Sequence, residues 1–266
     1  MKNLHFYKFK LPLENNLFDE LSNSVDLEDV GKGRKGNHLV NLSEKGIPIV
    51  RTTTKYNKPA HNFSTIHNRV IDGINDVVKN NNETPFPSLS FNNALIEIYD
   101  SSYFKMKYHS DQCLDLATDS YIALFSCYER PDDLTENALR KLKVKSKTTD
   151  EEFEFSLENN SVILFSLATN TKFMHKIVLE SSNKQRLDSD NKWLGITFRK
   201  SKTFIHFKDD LPYFPNGEPL KLADEIQQKE FYKLRGQENK SIDFLYPTIT
   251  YTLSISDTMI PKSIKN

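Results

Sequence analysis

Cysteine is almost missing from this chain: Cys113 and Cys127 are the only two among 266 residues. Two thiols cannot build the disulfide framework of a small secreted scaffold, so the expectation is an intracellular protein with reduced cysteines. Long apolar runs are missing too. None approaches the ~18 uncharged residues of a membrane span. The amino terminus, MKNLHFYKFKLPLENN, has neither the continuous apolar stretch nor the small-residue cleavage site of a secretory signal. Neither sign of charge is in excess, with 36 basic and 36 acidic side chains. Any attraction to nucleic acid must therefore come from a local basic patch. Collagen-like, coiled-coil and disordered readings fail as well, because 18 Phe and 11 Tyr supply the bulky apolar surface of a packed core.

The chain shows no internal repeat and no linker long or polar enough to divide it. We read residues 1–266 as a single domain, with a core over about 47–207 and a C-terminal decoration over 208–266. The first ~45 residues combine an amphipathic stretch, Leu13 to Leu21, with GKGRKGN, Gly31 to Asn37. The latter lacks the GxxxxGK[ST] order of a phosphate-binding loop and reads as a solvated connection. Apolar residues at three- and four-residue steps from Ile66 to Val78 predict a helix over Ser64–Lys79, with His67 and Arg69 on its polar side. Beyond it come short β-prone runs: 94–99, 105–109, 120–128, 139–147, 152–157, 161–166, 172–179, 193–200 and 203–207. Their spacing is too short for helical crossovers and predicts a mainly β, antiparallel sandwich or barrel with flanking helices. A further helix is expected over Leu220–Leu234, and LYPTITYTLSIS can add a strand.

The chemistry concentrates in KMKYHSDQCLDL, where His109 and Asp111 stand two apart. On a strand, that spacing points an imidazole and a carboxylate to one side. His175, far downstream in TKFMHKIVL, can join them if its strand returns across a barrel. Two imidazoles and one carboxylate on one face of a metal leave the opposite positions open. That is the arrangement of non-haem Fe(II) oxygenases, and zinc accepts the same donors.

Five segments in order then resemble the AlkB-like Fe(II)/2-oxoglutarate dioxygenases. They are IPIVRTTTKY, with Arg51 and Tyr56 five apart; FNNALIEIY, ending at Tyr99; HSD; LENNSVILFSLATNTKFMHKI; and WLGITFRK, with Arg199. The resemblance covers about Ile47 to Lys200. It implies a double-stranded β-helix (jelly roll) and Fe(II) held by His109, Asp111 and His175. It also implies that 2-oxoglutarate is the cosubstrate, met by Tyr99 and Arg199, and that O₂ is the oxidant. Arg51 and Tyr56 are the implied substrate-facing pair. Two positions depart from the pattern. Glu97 stands where the family has Asn, and Trp193 where it has the first of two carboxylate-binding arginines, with Arg186 or a nearby lysine as the alternative cation. Trp193 itself reads as core, as do Phe91, Phe125, Phe165, Phe173 and Phe198.

The activity so implied is oxidative decarboxylation of 2-oxoglutarate coupled to hydroxylation or demethylation of a substrate, with nucleic acid as the candidate. The alternatives are an oxygenase acting on a protein or small molecule, and a degenerate binding protein without turnover. No membrane partner is expected.

Overall fold

The computed structural model describes residues 5–81, 86–180 and 191–262. Arg186 lies outside the described residues. In chain order the elements begin with β1 (Phe6–Lys10), α1 (Phe18–Asn23), β2 (Glu28–Gly31), β3 (Arg34–Val40), β4 (Ile47–Pro48) and β5 (His61–Asn62). Next come α2 (Thr65–Lys79), β6 (Asn93–Tyr99), β7 (Tyr121–Tyr128), β8 (Arg140–Ser146), β9 (Glu152–Ser156) and β10 (Ser161–Ser166). Then follow α3 (Leu167–Lys172), β11 (Phe173–Leu179), β12 (Trp193–Arg199), β13 (Phe204–Lys208) and β14 (Leu211–Tyr213). The chain closes with β15 (Lys221–Leu222), α4 (Glu225–Glu238) and β16 (Tyr251–Thr252).

Two sheets make the jelly roll. The larger runs β1-β10-β7-β12-β6-β3-β2, with β5 beside β3, and the smaller runs β11-β8-β9. Period-two alternation sorts each strand of the larger sheet between its faces. Leu194, Ile196 and Phe198 of β12, with Ala123, Phe125 and Cys127 of β7, pack against Leu17, Leu21, Val70 and Ile74 of the α1–α2 layer. Trp193 of β12 and Ile122, Leu124 and Tyr128 of β7 face inward and meet Leu142, Val144 and Ile177 of the smaller sheet. Trp193 is 1 % exposed, so it is core.

The amino-terminal residues belong to this core, which corrects the boundary at residue 47. β1 pairs with β10 from Phe6↔Phe165 to Lys10↔Ser161, and β3 pairs with β6 along its whole length. Gly31 to Asn37 is likewise no loop. Gly31, Lys32 and Gly33 all have positive φ (92°, 55° and 71°) and turn the chain tightly from β2 into β3. The two glycines make that turn possible without steric cost. The strand after it hides polar residues because they find partners: Asn37, fully buried, donates from Nδ2 to the carbonyls of Asp26 and Pro59.

Helix α2 forms where the periodicity predicts it, but His67 is buried rather than on a polar face. Its Nδ1 accepts the Ser64 backbone N–H at 2.9 Å, closing a capping box, and its Nε2 meets Ser24 Oγ at 3.1 Å. The expected strand at 105–109 is reduced to two bridges onto β11, Lys105↔Val178 and His109↔His175. The register slips by one residue between them, in the manner of a β-bulge. Helix α4 starts later than its apolar spacing suggests, because Asp224 caps it by accepting Gln227 N–H at 2.8 Å. β16 adds the expected last strand, parallel to β15.

Candidate metal centre

His109 and His175 face each other across the end of β11. Their backbones exchange both hydrogen bonds, His109 N–H to His175 O at 3.0 Å and the reverse at 2.6 Å. Residues paired in this way project to the same side of a sheet. The two imidazoles accordingly lie 4.8 Å apart between ring centroids. Asp111, two residues on, is fixed by a buried amide from α3: Asn170 Oδ1 accepts the Asp111 N–H, and Asn170 Nδ2 donates to the Asp111 carbonyl, both at 2.8 Å. The outcome is a cluster in which one ligand atom from each of His109, Asp111 and His175 lies within 4.8 Å of the others. His175 Nε2 stands 3.5 Å from Asp111 Oδ1.

Protonation suits a cation. His109 Nδ1 lies 3.1 Å from the Lys107 carbonyl, which only accepts, so Nδ1 carries the hydrogen and Nε2 keeps its lone pair. Burial, with His175 and Arg235 nearby, pushes the His109 pKa down to about 3, leaving the ring neutral at physiological pH. Burial alone would push Asp111 upward, but the Arg199 guanidinium and the His175 ring outweigh it and hold the carboxyl well below the usual range. Arg199 grips Asp111 Oδ2 through Nε and Nη2, both at 2.8 Å, leaving Oδ1 turned toward His175. The neutral His109 imidazole, the His175 ring and one ionised carboxylate form a donor set that Fe(II) accepts.

Above the cluster opens a cavity of about 950 Å³ lined, among others, by Arg34, Glu97, Tyr99, Tyr103, Thr197 and Arg199. Its polar wall has room for an anionic ligand. Arg199 Nη1 and Arg34 Nε are buried without a hydrogen-bond partner. The Tyr99 hydroxyl donates to Glu97 Oε2 at 2.8 Å, and Arg34 Nε lies 3.2 Å from Glu97 Oε1. Glu97 holds Arg34 protonated against the effect of burial. Trp193 lies beneath this wall, its indole N–H donating to Ser126 Oγ at 2.7 Å and its ring 4.8 Å from that of Tyr99. Sequence reasoning missed Arg34, since its segment looked like a loop, and Asn170, for which no motif signalled.

The structure brings Tyr99 and Arg199 to the cavity with the three candidate ligands, but Arg51 does not line it, and its expected substrate-facing role is corrected accordingly; Tyr56 is buried behind the wall with its hydroxyl beside Arg34 and Glu97. Arg51 is buried, with Nε and Nη2 on Asp115 at 3.0 and 2.7 Å and Nη1 on the carbonyls of Ile249 and Tyr251. Tyr56 is fully buried, its ring 4.5 Å from that of His38, and its backbone binds Ser254 and Ser256. Both clamp the C-terminal segment to the sheet. The residues between them, Thr52 to Lys55, are the ones that line the cavity. The sequence shows the order of these side chains but not which of them turn inward.

A sequence model described as the 2OG-Fe(II) oxygenase superfamily matches residues 37–199. No curated protein matches. Among solved structures, one described as "The structure of OsALKBH1" is 13 % identical with a TM-score of 0.47, covering 75 % of this chain and 100 % of that one. A Pseudomonas putida prolyl-4-hydroxylase is 10 % identical with a TM-score of 0.43, covering 74 % of this chain and 94 % of that one. The matched span runs from β3 to Arg199 and takes in all three metal-site residues, and the chain belongs to the 2OG-Fe(II) oxygenase superfamily, whose members use Fe(II) and 2-oxoglutarate.

Proposed function

We propose that this oxygenase holds its iron with His109, Asp111 and His175 and acts on an anionic polymer, a single-stranded nucleic acid. The observation behind the substrate is the rim of the cavity. Lys32, Lys55, Lys105 and Lys107 are exposed there, and Asp29 is the one exposed acid among the lining residues. A neutral chain thus concentrates positive charge at the mouth of its reactive site, where field lines focus and draw in an anion. The basic strand β8 does not contribute, because Lys141 and Lys143 pair with Glu154 and Glu180.

Iron with 2-oxoglutarate and O₂ supplies the oxidising power, releasing succinate and CO₂ as a substrate C–H bond is hydroxylated; at an N-methyl group this leads to loss of formaldehyde. The chain's own residues do the rest. Arg199 orients Asp111 so that one oxygen is left for the metal, and the Lys107 carbonyl fixes the His109 tautomer. The apolar wall of Leu124, Leu142, Phe165 and Ile177 keeps bulk water from the inner end of the cavity.

The test is succinate release by iron-loaded protein with N-methylated single-stranded DNA and RNA, against peptide and small-molecule controls. Binding of the oligonucleotide is measured in parallel at two ionic strengths. Four phosphate contacts predict a slope of about −2.8 in log K against log salt for a single strand. Changing the four lysines to Gln should flatten that slope. Salt-insensitive binding, or stimulation by a peptide alone, would contradict the nucleic-acid reading.

A further inference from the structure

2-Oxoglutarate carries a carboxylate at each end. If the metal takes the 2-oxo acid end, the distal carboxylate lies inside the cavity and must meet a cation there, since an unpaired charge is not tolerated away from water. The cavity wall offers three partly or fully buried guanidinium groups. Arg199 is engaged through Nε and Nη2 with Asp111, which leaves only its buried Nη1 without a hydrogen bond. Arg235 is engaged with Glu238 through Nη1 and with the Ser110 carbonyl through Nη2. Arg140, although buried nearby, donates to the carbonyls of Tyr103 and Asp100 and does not line the cavity.

Arg34 is different. Its Nη2 donates to a neutral hydroxyl, Thr54 Oγ1 at 3.0 Å, and the other hydroxyls it meets, those of Tyr56 and Tyr103, are likewise uncharged. Its Nε is buried without a hydrogen bond, 3.2 Å from Glu97 Oε1 but out of line with it, and that oxygen is likewise unpartnered. The pair is therefore incomplete, with both members on the cavity wall. Its place in the sheet is equally specific. Arg34 is directly opposite Tyr99 across β3–β6, and Tyr99 is directly opposite Trp193 across β6–β12, so the three form one row on the inner face. Trp193 ends that row in the core, whereas Arg34 reaches the opening.

We infer that Arg34 is the residue that binds the distal carboxylate of 2-oxoglutarate. A guanidinium has five N–H donors on more than one edge, so Arg34 can face Glu97 on one side and the cosubstrate on another. The charges agree. Arg34 and Arg199 offset Glu97 and Asp111, and the two charges of Fe(II) then offset those of the dicarboxylate. Without Arg34 the filled site would hold an uncompensated anion.

This inference rests on the oxygenase reading, and the experiment separates the two. Iron-loaded wild type, Arg34→Gln and Arg34→Lys are titrated anaerobically by calorimetry with 2-oxoglutarate. The same titrations are run with 2-oxovalerate, which has the same carbon chain but ends in a methyl group. Iron content and near-ultraviolet circular dichroism are recorded for each protein. Wild type should prefer 2-oxoglutarate. Arg34→Gln should lose about ten- to a hundredfold in affinity for 2-oxoglutarate while binding 2-oxovalerate as wild type does. Arg34→Lys, which keeps the charge without the fork, should recover part of the loss and decides the matter if the Gln variant does not fold. Equal losses for both acids, or none for either, would overturn the role of Arg34 alone. Failure of iron-loaded wild type to bind either acid would overturn the oxygenase reading beneath it.

Discussion

Gly195 and Trp193 make a pair whose coupling can be measured. The outer end of the indole lies against Gly195, so that a Cβ added there would stand 2.0 Å from Trp193 Cη2, 2.6 Å from Cζ2 and 2.7 Å from Cζ3. Carbon atoms settle at about 3.5–4.0 Å, so the ring would have to retreat by roughly 1.5 Å. It has nowhere to go. The indole is 1 % exposed, packed on Tyr99 and tied to Ser126. Overpacking of this kind costs about 1–3 kcal/mol, and breaking the indole N–H bond adds about 1–3 kcal/mol for a buried donor left unsatisfied. Gly195→Ala should therefore destabilise the protein by roughly 3–5 kcal/mol, lowering Tm by about 6–20 °C. Urea denaturation of the single variants and of Trp193→Leu/Gly195→Ala would give the coupling. The double variant should be more stable than the sum of the two losses implies, by about 2 kcal/mol or more, because removing the ring removes the clash. A cost below about 1 kcal/mol for Gly195→Ala, or strict additivity, would refute this packing.

Other consequences reach the site and its supports. Arg199→Ala frees the Asp111 oxygen now held at 2.8 Å, and iron affinity by competition with a chelator should fall about ten- to a hundredfold. Arg51→Ala leaves the Asp115 carboxylate buried without its partner. It should cost about 3–5 kcal/mol in denaturation and expose 249–256 to limited proteolysis, while iron binding by the folded fraction is unchanged. Burial pushes His38 down to about 3 and His67 down to about 4, so in the folded protein both stay neutral where the unfolded chain is protonated. The unfolded state then binds more protons between the ordinary histidine pKa of about 6.5 and those lower values. Buried Asp257, its carboxyl raised to about 7, works in the opposite sense near neutrality. Metal-free protein should therefore lose stability below about pH 6.5, and denaturation midpoints at pH 6.5, 5.5 and 4.5 should decrease in that order, less steeply for His38→Gln.

Where the sequence was legible, the reason was periodicity or a local motif. The HSD segment and His175 could be found from residue type, spacing and the family resemblance, and Arg199 from the motif that WLGITFRK resembles. The larger sheet's β6, β7, β10 and β12 were visible in their β-prone runs. What failed was the sidedness of polar residues. Arg51 matches a motif, yet the structure turns its side chain inward to hold a segment some 200 residues away, and nothing local reveals so distant a partner. His67 looked polar because its helix position is polar, but its role in the capping box makes it core. Arg34 was hidden for a different reason. Three positive-φ residues before it made Gly31 to Asn37 look like an open loop, when they are the tight turn that starts β3.

The central claim is that His109, Asp111 and His175 hold one iron. Anaerobic titration of purified protein with Fe(II), read as bound metal after equilibrium dialysis, tests it most directly. Wild type should saturate at a single equivalent per chain. His109→Ala, Asp111→Ala and His175→Ala should each retain less than about a tenth of that at the same free iron, with circular dichroism unchanged, since the sheets pack without the ion. Wild-type stoichiometry and affinity in any one of the three folded variants would contradict the account.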